Sequence, residues 1–196
     1  MFRRWLPFLL ILALAACTAS PTPEPTPGPG EIALEEQAVY TAALAELYGA
    51  PTYVILSTTA TEPGGSGNTA ETLAFVLDNL PAVDPLTAED FSRRNAAETP
   101  LADDLQLGAP YALLTRQEMS DLFAENQNGW DTFYAQHPDA PGITSLSRAG
   151  FNPGMTEALV YVGTQSHWLA GAGYFLLLEK VDGVWTVRHQ VMTWIS

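Results

Sequence analysis

The chain has 196 residues, with 8 Lys+Arg against 22 Asp+Glu, a formal net charge of −14, 47% hydrophobic residues and a single cysteine. A chain this negative lacks the basic field that nucleic-acid phosphates require, and one cysteine can form neither an internal disulfide, a cysteine zinc site nor a CxxC redox pair. The apolar content is too high for a disordered acidic tail, and the length suits one domain.

The N-terminus reads as targeting information. Arg3 and Arg4 precede an apolar stretch from Trp5 to Leu14, interrupted only by Pro7. It is shorter than the roughly 20 residues of a spanning helix and has the layout of a secretory signal. The stretch ends Leu14-Ala15-Ala16-Cys17. This resembles the bacterial lipobox, in which small residues precede a cysteine that is diacylated with palmitate-type chains and becomes the new N-terminus. The resemblance implies removal of residues 1–16, lipidation at Cys17 and a membrane-anchored protein facing outside the cytoplasm. Thr18, by resemblance to diderm lipoproteins, does not signal inner-membrane retention. The chemistry agrees, because a thiolate is the nucleophile that takes a lipid and two acyl chains anchor where one is marginal. The competing reading is an ordinary signal peptide with a chance cysteine; against it, the only Cys of the chain occupies the position a lipoprotein needs.

Residues 17–30 follow as lipidated Cys and stalk, with Pro at 21, 23, 25, 27 and 29. Such a run makes neither helix nor ladder and favours an extended spacer reaching up to about 40 Å. Residues 31–196 then form one globular domain, long enough to bury most of its surface without disulfides.

Its first half reads as helices with a few strands. From Glu31 to Tyr48, Val39, Ala43 and Leu47 recur at helical spacing beside Tyr40, Leu44 and Tyr48, and Gly49 and Pro51 stop the helix. Glu31, Glu35 and Glu36 sit in its first turns, where the helix dipole favours anions. Thr52 to Thr59 is β-branched and apolar, a buried strand. Glu62 to Asn68 is a Gly-rich loop, and Asn68 with Glu71 can cap a helix whose face is Leu73, Val76, Leu77 and Leu80. Thr87 and Asp90 suggest a short helix carrying Phe91. Tyr111 to Thr115 reads as a short strand. Thr115 and Glu118 have capping-box spacing ahead of Met119, Leu122 and Phe123, and Asn128-Gly129 breaks that helix before Trp130, Phe133 and Tyr134.

The second half reads as four strands: Ile143 to Phe151, Thr156 to Gly163, Gly173 to Val181 and Val184 to Ile195. Asn152-Pro153-Gly154 and Asp182-Gly183 supply the turns, the latter a strong hairpin signal. Thr164 to Ala172 reads as a longer loop. Strict alternation in the last strand puts Trp185, Val187, His189, Val191 and Ile195 on one face and Trp194 on the other. No βαβ alternation or repeat is visible. The expected fold is α+β, with N-terminal helices packed on one face of a C-terminal four-stranded antiparallel meander.

From Trp130 onward the chain reads W-x-x-F, then LSRAGFN, EALVYVG, GAGYFLLLEK, DGVW and MTWIS. This pattern resembles an uncharacterised family of bacterial envelope lipoproteins, the match covering about the last third of the chain, from Trp130 and Phe133 through Gly150, Phe151, Asn152 and Tyr161 to Trp194 and Ser196. The resemblance implies an envelope setting and brings no activity. Some members have cysteines in the loop after the VYVG strand; Thr164 to Ala172 has none, which removes a disulfide or metal role there. Helices on a curved antiparallel sheet are also similar to the cystatin-like and nuclear-transport-factor-like folds, a likeness of fold alone.

No catalytic signature emerges. His137, His167 and His189 lack the spacing of a helical metal pair. His189 reads as a part-buried strand residue and His137 as part of a solvated turn beside Asp139. Gly64 to Asn68 is not a GxSxG elbow and lacks the P-loop Lys. Asp103 and Asp104 with Glu98 lack EF-hand spacing and read as a solvated acidic loop. The residues that stand out are His167 and Trp168, in the long hairpin loop, with Tyr161 and Tyr174. Together with Trp185 and Trp194, these tyrosines and Trp168 either line a pocket in a curved sheet or serve as packing. No metal and no cofactor is implied. The leading expectation is a lipid-anchored, non-enzymatic domain that binds a protein or small-molecule partner in the cell envelope. The alternatives are an envelope hydrolase with a site assembled in space and a structural accessory subunit. The charge is uneven: Glu31 to Gly142 holds 18 acids and 3 bases, whereas Ile143 to Ser196 holds 3 of each. The neutral, aromatic sheet is therefore the first place to look for a ligand.

Overall fold

In a computed structural model of the chain, the structure describes residues 28–60, 69–80, 82–124 and 128–196. The leader, Cys17, most of the stalk and the Gly-rich loop with its Asn68 cap lie outside the described residues. In chain order the elements are α1 (Pro29–Leu47), β1 (Tyr53–Leu56), α2 (Thr69–Asn79), α3 (Pro85–Arg94), β2 (Tyr111–Leu114), α4 (Arg116–Phe123), α5 (Gly129–Gln136), β3 (Ile143–Leu146), β4 (Gly150–Phe151), β5 (Glu157–His167), β6 (Ala170–Val181) and β7 (Val184–Ile195).

The fold is α+β, with a sheet larger than the sequence suggests. Seven strands form one mixed sheet in the order β2-β1-β3-β5-β6-β7, with β4 beside β5. The two short N-terminal strands join it in parallel: Tyr53 faces Tyr111 on β2, and Val54 faces Ile143 on β3. The segment between β1 and β2 is thus a crossover carrying α2 and α3. That corrects the expectation of a purely antiparallel four-stranded sheet without βαβ connections. Strands of four residues separated by more than one helix carry too little pattern to reveal their pairing.

Helices cover both faces, not one. Successive strand residues point to opposite faces. Val160, Val162, Leu176 and Leu178 pack with Val39, Tyr40, Ala43 and Leu44 of α1. Leu159, Tyr161, Phe175 and Leu177 pack beneath α2 and α3, through Val76, Leu80, Ala88 and Phe91. Farther along that second face, Val54 and Ile143 meet Trp130 and Phe133 of α5, with Met119, Leu122 and Phe123 of α4 packed alongside. The apolar run of β5 is accordingly buried on both sides.

Local signals explain the element ends. Thr115 and Glu118 form the full capping box expected of α4, the Thr115 hydroxyl accepting from the Glu118 N–H at 3.1 Å and the Glu118 carboxylate from the Thr115 N–H at 2.8 Å. α3 is capped by Asp84, which accepts from the Leu86 N–H at 2.9 Å. Asp182 and Gly183 both have positive φ, +50° and +82°, the geometry of a tight primed hairpin turn. The first strand of the expected meander is broken: Ser147, Arg148 and Ala149 separate β3 from β4, both of which pair with β5.

Two further expectations are overturned. Thr164 to Ala172 is no long loop; β5 and β6 run through it and leave only Trp168 and Leu169 as the turn. The alternation of β7 is reset by two register shifts. Val187 faces Leu178 while His189 faces Leu177, and Met192 faces Tyr174 while Trp194 faces Gly173. Each shift inserts one extra residue and so reverses which side the following residues take. Trp185 and Val187 end on the α1 side, whereas His189, Val191 and Trp194 share the opposite side.

Candidate functional site

The second sheet face is not fully covered. Between the α4–α5 pair and the end of β7 it holds a cavity of about 530 Å³, within the usual range for small-molecule sites. Its floor is made of small residues. Gly163 of β5 pairs with Ser145 of β3 on one side and with Gly173 of β6 on the other. A Cβ on Gly163 would lie 2.8 Å from the Tyr161 hydroxyl and 2.9 Å from the Ser145 hydroxyl, so a side chain there would displace one or both. Trp194, swung to this side by the second bulge, closes one end of the floor. Its ring lies over Gly171 and Gly173, where a Cβ at 171 would come within 3.0 Å of the ring. Its indole N–H donates to the Tyr161 hydroxyl at 2.7 Å.

The opposite wall comes from α4 and α5, through Met119, Ser120, Phe123 and Trp130, with Leu56, Ile143, Gln165 and Trp168 completing the lining. The aromatic rings there touch in series. Trp168 meets Phe123 edge-on at 5.3 Å, Phe123 meets Trp130 at 5.1 Å, and Trp130 stacks with His167 at 6.2 Å and with Tyr134 at 6.1 Å. Gly129 allows this packing, since any side chain there would overlap the Phe123 ring. The Tyr134 hydroxyl donates to the Ser166 carbonyl at 2.9 Å and ties the β5–β6 hairpin to α5. Burial pushes the Tyr134 hydroxyl pKa up. The Trp130 indole N–H is buried without a hydrogen-bond partner.

The four residues singled out from sequence fall into four places. Trp168 lines the cavity and is 44% exposed at the hairpin tip, beside Leu169 at 84%. His167 is an exposed strand residue stacked on Trp130; its side chain makes no hydrogen bond or ion pair among the described residues. Tyr161 is buried behind the floor and bonds Trp194. Tyr174 lies on the opposite face, against the α1 core, and has no part in the cavity. Trp185 is also on that face, its indole donating to Glu35 at 2.6 Å. His189 is exposed on β7 rather than part-buried, because the bulge at Arg188 turns it away from the α1 core. His137 caps the end of α5 and packs on Phe133 at 5.3 Å, with no ion pair to Asp139. Glu98 pairs with Arg116. Among the described residues no group of three or more His, Cys, Asp or Glu is placed to hold a metal.

Sequence reasoning missed Phe123, Trp130, Ser145, Gly163 and Gln165. The pair Gly163 and Gly173, at register positions of two neighbouring strands, was the available signal: glycine inside a strand marks a close approach.

Two other features frame the site. An open groove of about 560 Å³ runs between α1 and the β6–β7 turn, past Leu34, Ala38, Val184 and Trp185, and its wall includes the Glu35–Lys180 ion pair at 2.5 Å. Deeper, Glu36 of α1 is 7% exposed and accepts from Arg94 at 3.0 Å, from Arg148 at 2.8 Å and from the Ala149 N–H at 2.8 Å. Burial works against the Arg148 charge, but the Glu36 contact outweighs it and raises the Arg148 pKa. By contrast, among the described residues no charged side chain lines the aromatic cavity.

No family model, no curated protein and no solved structure matches this chain. Among the described residues no helix is long and apolar enough to cross a membrane.

Proposed function

We propose that the protein is a lipid-anchored binding domain of the bacterial cell envelope, resembling in its C-terminal pattern an envelope lipoprotein family, and that it holds a small molecule in the aromatic cavity between α4–α5 and the sheet. The observation that carries this reading is the cavity itself. It combines an open mouth, three tryptophans, a glycine-relieved floor and a few polar groups, the composition of a small-molecule site rather than of residual packing. The lipobox-like Leu14-Ala15-Ala16-Cys17 supports the anchor, and the Pro-rich residues after it support a spacer that holds the domain off the membrane.

Native mass spectrometry tests the binding half. The full chain is incubated with the low-molecular-weight fraction of an envelope extract. A discrete adduct is expected on the wild type and is expected to vanish in Ser145→Leu, which fills the floor. Equal adducts on both would refute the cavity as the site. Membrane fractionation of Cys17→Ser tests the anchor: the variant is expected to leave the membrane fraction or to accumulate unprocessed, and unchanged processing and partition would refute lipidation.

A further inference from the structure

We infer that the ligand of this cavity is an uncharged, mainly apolar ring compound carrying one or two hydrogen-bonding groups, and not a saccharide or an ionised metabolite. This rests on the binding role proposed above and specifies its chemistry. Three observations carry it.

First, charge. Among the described residues the lining contains no Lys, Arg, Asp, Glu or His. An ion moved from water into such a site has no partner, and burying it there is strongly unfavourable. The groove beside α1, walled by Glu35 and Lys180, shows that this molecule does place charge at a surface depression elsewhere. The described lining of the aromatic cavity is thus neutral where the α1 groove is charged.

Second, shape and surface. The Trp194 indole has its N–H already committed to Tyr161, so what it offers the cavity is the apolar ring. Trp168 is held edge-on against Phe123 at the opposite side. Offset or edge-on contact with such rings rewards a flat ring system.

Third, the supply of polar partners. The Ser120 hydroxyl and the Gln165 amide line the cavity, and neither side chain makes a hydrogen bond within the described residues. Ser145 makes only a long bond, 3.3 Å, to the Gly163 carbonyl. Thr164 has its hydroxyl engaged with Thr144 at 3.0 Å. The site can therefore satisfy about two ligand groups, whereas a monosaccharide presents about five hydroxyls. Each one buried without a partner weakens binding by roughly tenfold.

The experiment uses the full lipidated chain in nanodiscs with 5-fluorotryptophan, read by ¹⁹F resonances of the protein. Three probes of comparable size are titrated at neutral pH: 2-naphthol, 2-naphthoate and N-acetylglucosamine. The Trp168 and Trp194 resonances are expected to shift saturably with 2-naphthol, and the Trp185 resonance on the opposite face to stay fixed. Affinity for 2-naphthoate is expected to be at least tenfold lower, and the saccharide is expected to give no shift. Gln165→Leu is expected to weaken 2-naphthol about fivefold, the loss of one hydrogen bond. Equal or tighter binding of the naphthoate or the saccharide overturns the ligand class and leaves the binding role intact. If no probe moves Trp168 or Trp194, or if Ser145→Leu, with its Trp185 resonance unchanged as proof of folding, responds like the wild type, then the class and the binding role both fall.

Discussion

Glu36 gathers long-range polar contacts from two other parts of the fold. Its carboxylate gathers Arg94 from α3 and both Arg148 and the Ala149 N–H from the break between β3 and β4. Arg94 also lies 5.5 Å over the Phe151 ring. Removing one partner of such a buried set leaves charge uncompensated, which costs more than the set contributes when intact. Glu36→Gln is expected to lower stability by about 3 kcal/mol in urea unfolding, whereas Arg116→Gln, which breaks the exposed pair with Glu98, is expected to cost less than about 1 kcal/mol. The sequence suggests Glu35 and Glu36 as anions complementing a helix dipole; Glu35 instead ties α1 to β6 and β7, and Glu36 ties it to α3 and to the break between β3 and β4. Tyr40, one turn on, donates to the Ser147 carbonyl at 2.9 Å. Burial, and then the Glu36 charge, raise its hydroxyl pKa well above the ordinary value, and burial raises Tyr48 and Tyr53 as well. A raised folded-state pKa means that the native protein keeps its protons where the unfolded chain has lost them. The associated stability is complete below the unfolded value of about 10 and is lost as pH climbs from there toward the folded values. Chemical unfolding is therefore expected to show a flat profile from neutral pH to about 10 and a fall above it, shallower in Tyr40→Phe. An equally steep fall in that variant would remove Tyr40 from the explanation.

At the scale of elements, close backbone approaches set the architecture. A Cβ on Gly150 would lie 2.5 Å from the Phe91 Cα, so β4 and α3 meet only because that side chain is absent. Gly150→Ala is expected to push the two apart and cost about 1–3 kcal/mol by thermal or urea unfolding, whereas the exposed Gly154→Ala is expected to be nearly neutral. A neutral Gly150→Ala would show that α3 can shift freely. This pattern also explains what was legible beforehand. The capping box at Thr115, the Asp182-Gly183 turn and the α1 stripe are each written in a few consecutive residues, and each stands where those residues indicate; the C-terminal strands are legible too, but β5 and β6 run on through the expected loop. What escaped depends on residues far apart in the chain. The parallel pairing of Tyr53 with Tyr111 leaves no local trace in two four-residue strands. The bulges at Arg188 and Thr193 carry no Gly or Pro to announce them, yet they decide that Trp194 faces the cavity and Trp185 does not. Tyr174 looks like a site residue by its aromatic type, but it pairs with Val162 and so falls on the α1 face, away from Tyr161.

At the scale of the molecule, α1 and the long hairpins give the domain two ends. α1 starts at Pro29, and its early residue Glu35 holds Lys180 and Trp185 near the β6–β7 turn. β6 then runs back from that turn to the Trp168-Leu169 tip, 12 residues that span about 40 Å at the usual rise per residue. The aromatic cavity therefore opens at the end of the sheet farthest from where a stalk joins the domain. On the anchor proposed above, it faces away from the membrane, with the acidic helical half contributing repulsion toward anionic lipid. Deleting residues 18–27 is then expected to leave 2-naphthol affinity on anionic nanodiscs unchanged within about twofold, because the membrane and the cavity mouth stay separated by the length of the hairpin. A much larger loss on shortening the stalk would place the mouth against the lipid. The same arrangement predicts that nitroxide-labelled lipid headgroups leave unquenched the fluorescence of a variant retaining Trp168, at the far tip, as its only tryptophan. Quenching comparable to that of a tryptophan placed at residue 31 would show that the domain lies down on the bilayer instead of standing on its stalk.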